Sequence, residues 1–328
     1  MVEMMKAIRL ETFGGPEVLQ YVDVERPSIK AHEVLVKVAA IGVNYADTAR
    51  REGKYVVPTP LPFIPGAEVA GEVVAVGKEV KHLANGDRIV ALINDGAYAE
   101  YVALPALSAT KIPEGVQERD AVALPLQGQT AYHLLKTMGR IQPGDRVLVH
   151  AAAGGVGSLA VQLAKLFGAG TIIATASTKE KLAHAQALGA DYCINYTEED
   201  WPDQVKSVTD GKGVDIALEM VGGEIFHQTL TCLAYHGRLV IFGSASGEPA
   251  NFNAAQLMRR NQSVIGFFLP VIMRDQQLYQ ESFQALLAYR EKGELELTIE
   301  GTFPLAEAAA VHRLLQGRKT MGKLILTP

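Results

Sequence analysis

The run Ala152-x-Gly154-x-x-Gly157 carries the strongest chemical signal in the chain. It follows the short apolar stretch RVLVHA, from Arg146 to Ala151. It opens a segment with apolar residues at helical spacing: Val156, Leu159, Ala160, Leu163, Ala164 and Phe167. A strand, a glycine turn and a helix in that order make an anion site. Gly154 lets the backbone approach a pyrophosphate, and Gly157 lets the helix pack close to the strand. The free N–H groups from Gly154 through Gly155 and Val156 to Gly157 hold the negative charge. The usual fingerprint begins on glycine; this one begins on Ala152, and the physics survives the change. Glycine-rich turns also serve packing alone, but the strand–helix alternation around this one favours dinucleotide binding.

The ribose end is read about 20 residues further on. A site for NAD wants Asp or Glu at the end of the second strand. This chain has Ser177-Thr178-Lys179-Glu180-Lys181 instead. A 2′-phosphate would pair with Lys181 and accept from Ser177. Tyr196, at the end of the next strand, adds a phenol donor. The lysines also suit the solvated first turn of a helix, with Glu180 matching its dipole. The segment favours NADPH over NADH.

These residues need elements to position them. From about Leu124 onward, strand-like runs alternate with helical ones: RVLVHA, TIIATA, CINY, VDIALEMVG and GRLVIFG. That pitch means βαβ units, a parallel sheet and helices on both faces. The chain before it is β-rich, with runs such as EVLVKVAAIGV, GAEVAGEVVAVG and DRIVALI punctuated by Gly and Pro. The last 60 or so residues read as two helices, around Tyr279 to Lys292 and Leu305 to Gln316, and a terminal strand KLILTP. The expected fold is α/β, with a Rossmann doubly wound parallel sheet (residues 125–266) inserted in a β-rich domain built from 1–124 and 267–328.

Composition narrows the function. The chain has 328 residues, and its net charge is −5. No cationic surplus exists to grip nucleic acid phosphates. Apolar residues make up 48%, which excludes disorder. Two cysteines, Cys193 and Cys232, support neither a disulfide framework nor a four-cysteine zinc site. No signal peptide and no run of about 18 apolar residues is seen, so a cytoplasmic protein without a membrane span is expected.

Across essentially its whole length the sequence resembles the zinc-independent, ζ-crystallin-like quinone oxidoreductases of the medium-chain dehydrogenase/reductase superfamily. The resemblance rests on MKAIRLETFGGPEVL, AAIGVNYADTARREGKY, GAEVAGEVVAVG, GDRIVAL, HAAAGGVG, DIALEMVGG, VIFGSASG and MGKLIL. It implies that the β-rich domain is GroES-like and catalytic, that the site lies in the cleft between the domains, that NADPH donates hydride, and that the protein is a homodimer.

Zinc-dependent members carry a cysteine where this chain has Asn44 and a histidine where it has Ala67. No H-x-x-H or H-E-x-x-H spacing occurs among the eight histidines, and His150 reads as a structural residue. No catalytic metal is expected, and Glu68 reads as a buried structural partner. Without a metal, hydride transfer to an electron-poor quinone or α,β-unsaturated carbonyl remains feasible.

By resemblance Asn44 lies by the nicotinamide and substrate, Tyr55 lines the quinone pocket, and Thr130 sits near the nicotinamide ribose. Each also has a local alternative: Asn44 as a turn cap, Tyr55 as a cover, Thr130 as a helix cap. Further cofactor contacts implied are Phe242, Gly243 and Ser244; Phe267, Phe268 and Leu269; and Arg318 and Lys323. Two other functions stay open: an NADPH-dependent enoyl-thioester reductase, with Tyr55 as proton donor, and an NADPH-binding non-enzymatic, crystallin-like protein.

Overall fold

The computed structural model of the chain describes residues 3–248 and 250–328. Among them the β-rich runs become strands where the sequence alternates. β1 (Met4–Arg9) and β2 (Gln20–Glu25) pair antiparallel. The other early strands are β3 (Glu33–Val43), β4 (Glu68–Val76), β5 (Arg88–Leu92), β6 (Tyr101–Pro105) and β7 (Ala109–Lys111). They join β14 (Ile299–Pro304) and β15 (Lys323–Thr327) in a sheet ordered β14-β15-β3-β4-β5-β7, with β6 on β3. β15, the terminal strand, runs antiparallel to β3 with Ile325 opposite Gly42. Both ends of the chain therefore share one sheet and one core, where Val36, Ile41, Val69 and Ile89 meet Leu324 and Leu326.

The alternating region forms β8 (Arg146–Val149), β9 (Thr171–Ala176), β10 (Tyr192–Asn195), β11 (Val214–Glu219), β12 (Leu233–Ile241) and β13 (Ser263–Gly266). Their order is β10-β9-β8-β11-β12-β13, and every pair is parallel. This is the doubly wound topology, with its switch point between β8 and β11. β8 and β9 are buried along all but their first residue, as central strands of a parallel sheet are. The helix Gly155–Leu166 runs from β8 toward β9 and ends before Gly168, whose φ of +87° stops it. Trp201, Val205 and Phe226 fill the core on Leu148, Ile173 and Leu239.

The contacts divide the chain into two units, Met1–Leu126 with Leu297–Pro328, and Gln127–Glu296. The second boundary falls 30 residues beyond the 266/267 position expected from sequence. Side chains hold the intervening stretch to the Rossmann unit. Gln129 Nε2 donates to the Tyr279 carbonyl at 2.8 Å, and His133 Nε2 lies 3.0 Å from Ser282 Oγ. Gln162 Oε1 accepts from the Glu296 N–H at 2.7 Å. The chain is helical from Leu124 to Met138, with π-helical turns on either side of Gln129–His133. No helix among the described residues is long and apolar enough to cross a membrane.

Candidate functional site

The glycine turn sits at the C-terminal edge of β8. The first fingerprint position, Ala152, is buried and donates its N–H to the Thr175 carbonyl at 3.0 Å. The left-handed backbone of the turn falls on Ala151 instead, at φ +49°. That is why alanine is tolerated at the position where glycine is usual. Gly157 meets the fingerprint's demand: a Cβ there would lie 2.3 Å from the Ala151 carbonyl oxygen. The helix is packed on the turn so closely that only glycine fits. Gly154 is the extended N-cap, without a side-chain cap, and the first turn holds no acidic residue. The Gly154 N–H donates to the Ala151 carbonyl at 2.8 Å, and no side chain caps the N–H groups of the first helical turn that follows.

At the neighbouring strand ends the structure brings Ser177 and Tyr196 together. The Tyr196 N–H donates to the Ala176 carbonyl at 3.3 Å, so both follow adjacent strands β9 and β10. Thr178 caps the helix Lys179–Ala187 by accepting from the Lys181 N–H at 3.3 Å. Lys181 thus lies in the first turn of this helix. Phe242, Gly243 and Ser244 follow β12, and the Phe242 N–H donates to the Glu219 carbonyl at 3.0 Å. Phe267, Phe268 and Leu269 follow β13; Phe268 is exposed and Leu269 buried. Thr130 is the second residue of the helix Gln129–His133, whose N-cap is Gly128, so it is not a helix cap.

Glu219, at the end of β11, has zero exposure. Its Oε1 accepts from the Val221 and Gly222 N–H groups at 2.6 and 3.0 Å, while Oε2 has no hydrogen-bond partner among the described residues. Burial pushes its carboxyl up. His150, flanking the turn, is bonded on both ring nitrogens, to Thr175 and Thr229 at 2.8 Å each. Burial holds it neutral, with its pKa lowered to about 4. It is the structural histidine expected.

A second polar cluster lies inside the first unit. Asn44 is the N-cap of the helix Tyr45–Arg51 and is 2% exposed. Its backbone N–H donates to Asp47 Oδ2 at 2.9 Å. Its Nδ2 donates to Glu68 Oε2 at 2.6 Å, and its Oδ1 accepts from Lys323 Nζ at 2.8 Å. Lys323 also pairs with Glu68 Oε2, and the Leu126 N–H donates to Oε1 at 2.6 Å. Asn44 caps the local turn, one of the two roles open to it from sequence, and its amide bonds Glu68 and Lys323. Lys323 is 1% exposed and bonded to Glu68 and Asn44.

Asp47 extends the network. Tyr98 Oη donates to Asp47 Oδ2 at 3.3 Å and meets His312 Nε2 at 3.1 Å. Arg51 Nη1 lies 3.2 Å from His312 Nδ1. The arginine can only donate, so Nδ1 accepts and Nε2 carries the proton toward Tyr98. Burial raises the Asp47 carboxyl to about 6 and lowers His312 to about 3. Sequence reasoning missed this chain because its members stand far apart in sequence and match no spacing rule.

Tyr55 is half-buried, which raises its phenol above the ordinary value. The Arg50 guanidinium lies 5.9 Å from its ring centroid and 4.5 Å from that of Phe63, and Arg50 Nε donates to Thr59 at 3.3 Å. Arg50 therefore organises the proline-rich stretch that carries Tyr55. Arg318 is exposed in the first unit, at φ +55°. Among the described residues no three His, Cys, Asp or Glu side chains gather as a metal site.

Residues 30–114 match the alcohol dehydrogenase GroES-like domain, and residues 155–288 match the zinc-binding dehydrogenase family. A quinone oxidoreductase of Pseudomonas aeruginosa is 36% identical over 99% of this chain and 100% of its own length. The chain belongs to the quinone oxidoreductase family of the medium-chain dehydrogenase/reductase superfamily. A 2-haloacrylate reductase of a Burkholderia species is 34% identical over 99% of each chain. The structure of Escherichia coli quinone oxidoreductase complexed with NADPH has a TM-score of 0.93 and 35% identity, covering 98% of this chain and 100% of that one. The GroES-like and Rossmann assignments hold for this member.

Proposed function

We propose that this protein is a zinc-independent NADPH:quinone oxidoreductase that also reduces α,β-unsaturated carbonyls. The observation that carries the metal-free reading is the Lys323 ammonium, buried on Glu68 and Asn44. It pairs with the Glu68 carboxylate, and a second cation placed beside it would meet like-charge repulsion in a low dielectric. An amide, a carboxylate and an ammonium are not a zinc ligand set.

The Rossmann unit fits NADPH. The N–H groups of Gly155, Val156 and Gly157 in the first helical turn suit its pyrophosphate, with Gly154 keeping the backbone close, and Ser177, Lys181 and Tyr196 suit its 2′-phosphate. Thr130, Phe242, Gly243, Ser244, Phe267, Phe268 and Leu269 are assigned to the remaining cofactor contacts, and Arg318 to the same role from the first unit. NADPH supplies the hydride. The chain orients the acceptor and places a donor at the oxygen where charge develops. Tyr55 is that donor: burial keeps its phenol protonated at neutral pH, and Arg50 fixes the loop that bears it. Asn44 acts as a positioning residue, holding the start of the helix that leads to Arg50. The name 2-haloacrylate reductase supports the wider acceptor range, because an acrylate is an α,β-unsaturated carboxylate. A cytoplasmic homodimer completes the reading; β13 ends the sheet with one edge unpaired by any described strand.

The test is loss of NADPH absorbance with quinones, enones and crotonyl-CoA as acceptors. Turnover of quinone and enone with an inert thioester is expected. Selective turnover of the thioester would replace this reading with enoyl-thioester reduction. NADPH binding without turnover of any acceptor would replace it with a non-enzymatic role.

A further inference from the structure

Gly155 lies outside the three fingerprint positions, and its φ is not in the left-handed region, so neither rule explains a glycine there. A neighbouring side chain does. A Cβ on Gly155 would lie 2.2 Å from Cδ and Oε1 of Gln127 and 2.3 Å from its Nε2. The Gln127 carboxamide therefore rests on the Gly155 Cα, the first residue of the helix Gly155–Leu166. That helix start has no side-chain cap and no acidic residue in its first turn. Gln127 is half-buried, and the turn that carries it is tied into the same unit, where Gln129 Nε2 donates to the Tyr279 carbonyl at 2.8 Å.

We propose that Gln127 is a binding residue for the pyrophosphate of NADPH, with Nε2 donating to a phosphate oxygen. Gly155 is then glycine so that the amide can lie over the helix start. An amide suits the place. It brings two N–H donors and no charge, whereas a carboxylate would oppose the phosphates. The assignment rests on the NADPH reading above. It adds a residue distinct in consequence from Ser177 and Lys181: the pyrophosphate is common to NADPH and NADH, whereas the 2′-phosphate is not.

The experiment is equilibrium titration of the full-length protein with NADPH and with NADH, read by calorimetry. The proteins are the wild type, Gln127→Ala, Gln127→Glu and Gly155→Ala. Loss of a hydrogen bond to a charged group predicts roughly ten-fold weaker binding of both cofactors to Gln127→Ala, with their ratio unchanged. Gln127→Glu, nearly the same shape, should bind more weakly still, and added salt should narrow its deficit. Gly155→Ala should weaken binding by displacing the amide, and should cost little more in the Gln127→Ala background. Thermal melts without cofactor report whether each variant folds; Gln127→Glu keeps the test open if Gly155→Ala does not. Wild-type affinity for both cofactors in Gln127→Ala and Gln127→Glu overturns the assignment. So does a loss confined to NADPH, which would move Gln127 to the 2′-phosphate. A wild-type protein that binds no NADPH overturns the functional reading itself.

Discussion

Removing the ammonium of Lys323 while keeping its bulk should destabilise the first unit strongly. Lys323 and Glu68 have side-chain exposures of 1% and 0%. Lys323→Met keeps an apolar stem of similar length and leaves the Glu68 carboxylate buried without a counter-charge. Breaking a buried pair from one side costs about 3–5 kcal/mol. Two hydrogen bonds to Glu68 survive, from Asn44 Nδ2 and the Leu126 N–H, both 2.6 Å, which places the loss toward the lower end. For a unit of this size 1 kcal/mol moves Tm by about 2–4 °C, so a fall of roughly 6–12 °C is expected. The probe matters, because the single tryptophan, Trp201, lies in the other unit and its fluorescence is a poor reporter. Hydrogen exchange of peptides covering Glu33–Val43 and Glu68–Val76 reads the affected sheet directly. The double variant Lys323→Met/Glu68→Gln should regain most of the loss, since a glutamine oxygen still accepts from the Leu126 N–H. A single variant that exchanges like the wild type would refute the reasoning. A double variant no better than the single would also refute it.

Several buried titrating groups set a pH dependence. Burial lowers His133 and His150 to about 4 and His312 to about 3, each below the ordinary 6.5. The unfolded chain protonates first, so stability should fall as pH drops from about 6.5 toward 4. Asp47 opposes this. Its carboxyl is raised to about 6, so it favours folding as pH falls through 6, with Glu68, Lys323, Tyr98 and the Asn44 N–H facing it. Three histidines outweigh one carboxyl, and urea melts across this range should show net acid destabilisation, steeper in Asp47→Asn. Ala151→Gly should stabilise the second unit by roughly 1 kcal/mol, because it relieves a left-handed alanine at φ +49°; an unchanged urea midpoint would contradict that. Lys181→Ala should weaken NADPH by about ten-fold and leave NADH nearly unchanged in parallel titrations. Tyr55→Phe should slow quinone turnover without altering NADPH affinity; unchanged turnover would leave solvent as the proton source.

What the sequence made legible follows from the range of the physics involved. The β8–glycine–helix unit is a local object: period, turn and helix start lie within about twenty consecutive residues, and the structure reproduces it. Gly157 is required by a contact six residues away, with Ala151, and its spacing alone announced it. Lys323 is the opposite case. Its partners come into view only when β15 is laid against β3, which brings it to Asn44, 279 positions away in sequence. Asn44, Asp47, Tyr98 and His312 likewise form one chain only after the sheet that joins β3, β6 and β15 has closed, and no periodicity encodes that. Gly155 shows the intermediate case. Its neighbours in sequence explain nothing about it beyond one more N–H at the helix start. The close approach of Gln127 gives it a reason of its own, and that reason is a side chain whose amide the fold delivers to the same anion site from outside the motif.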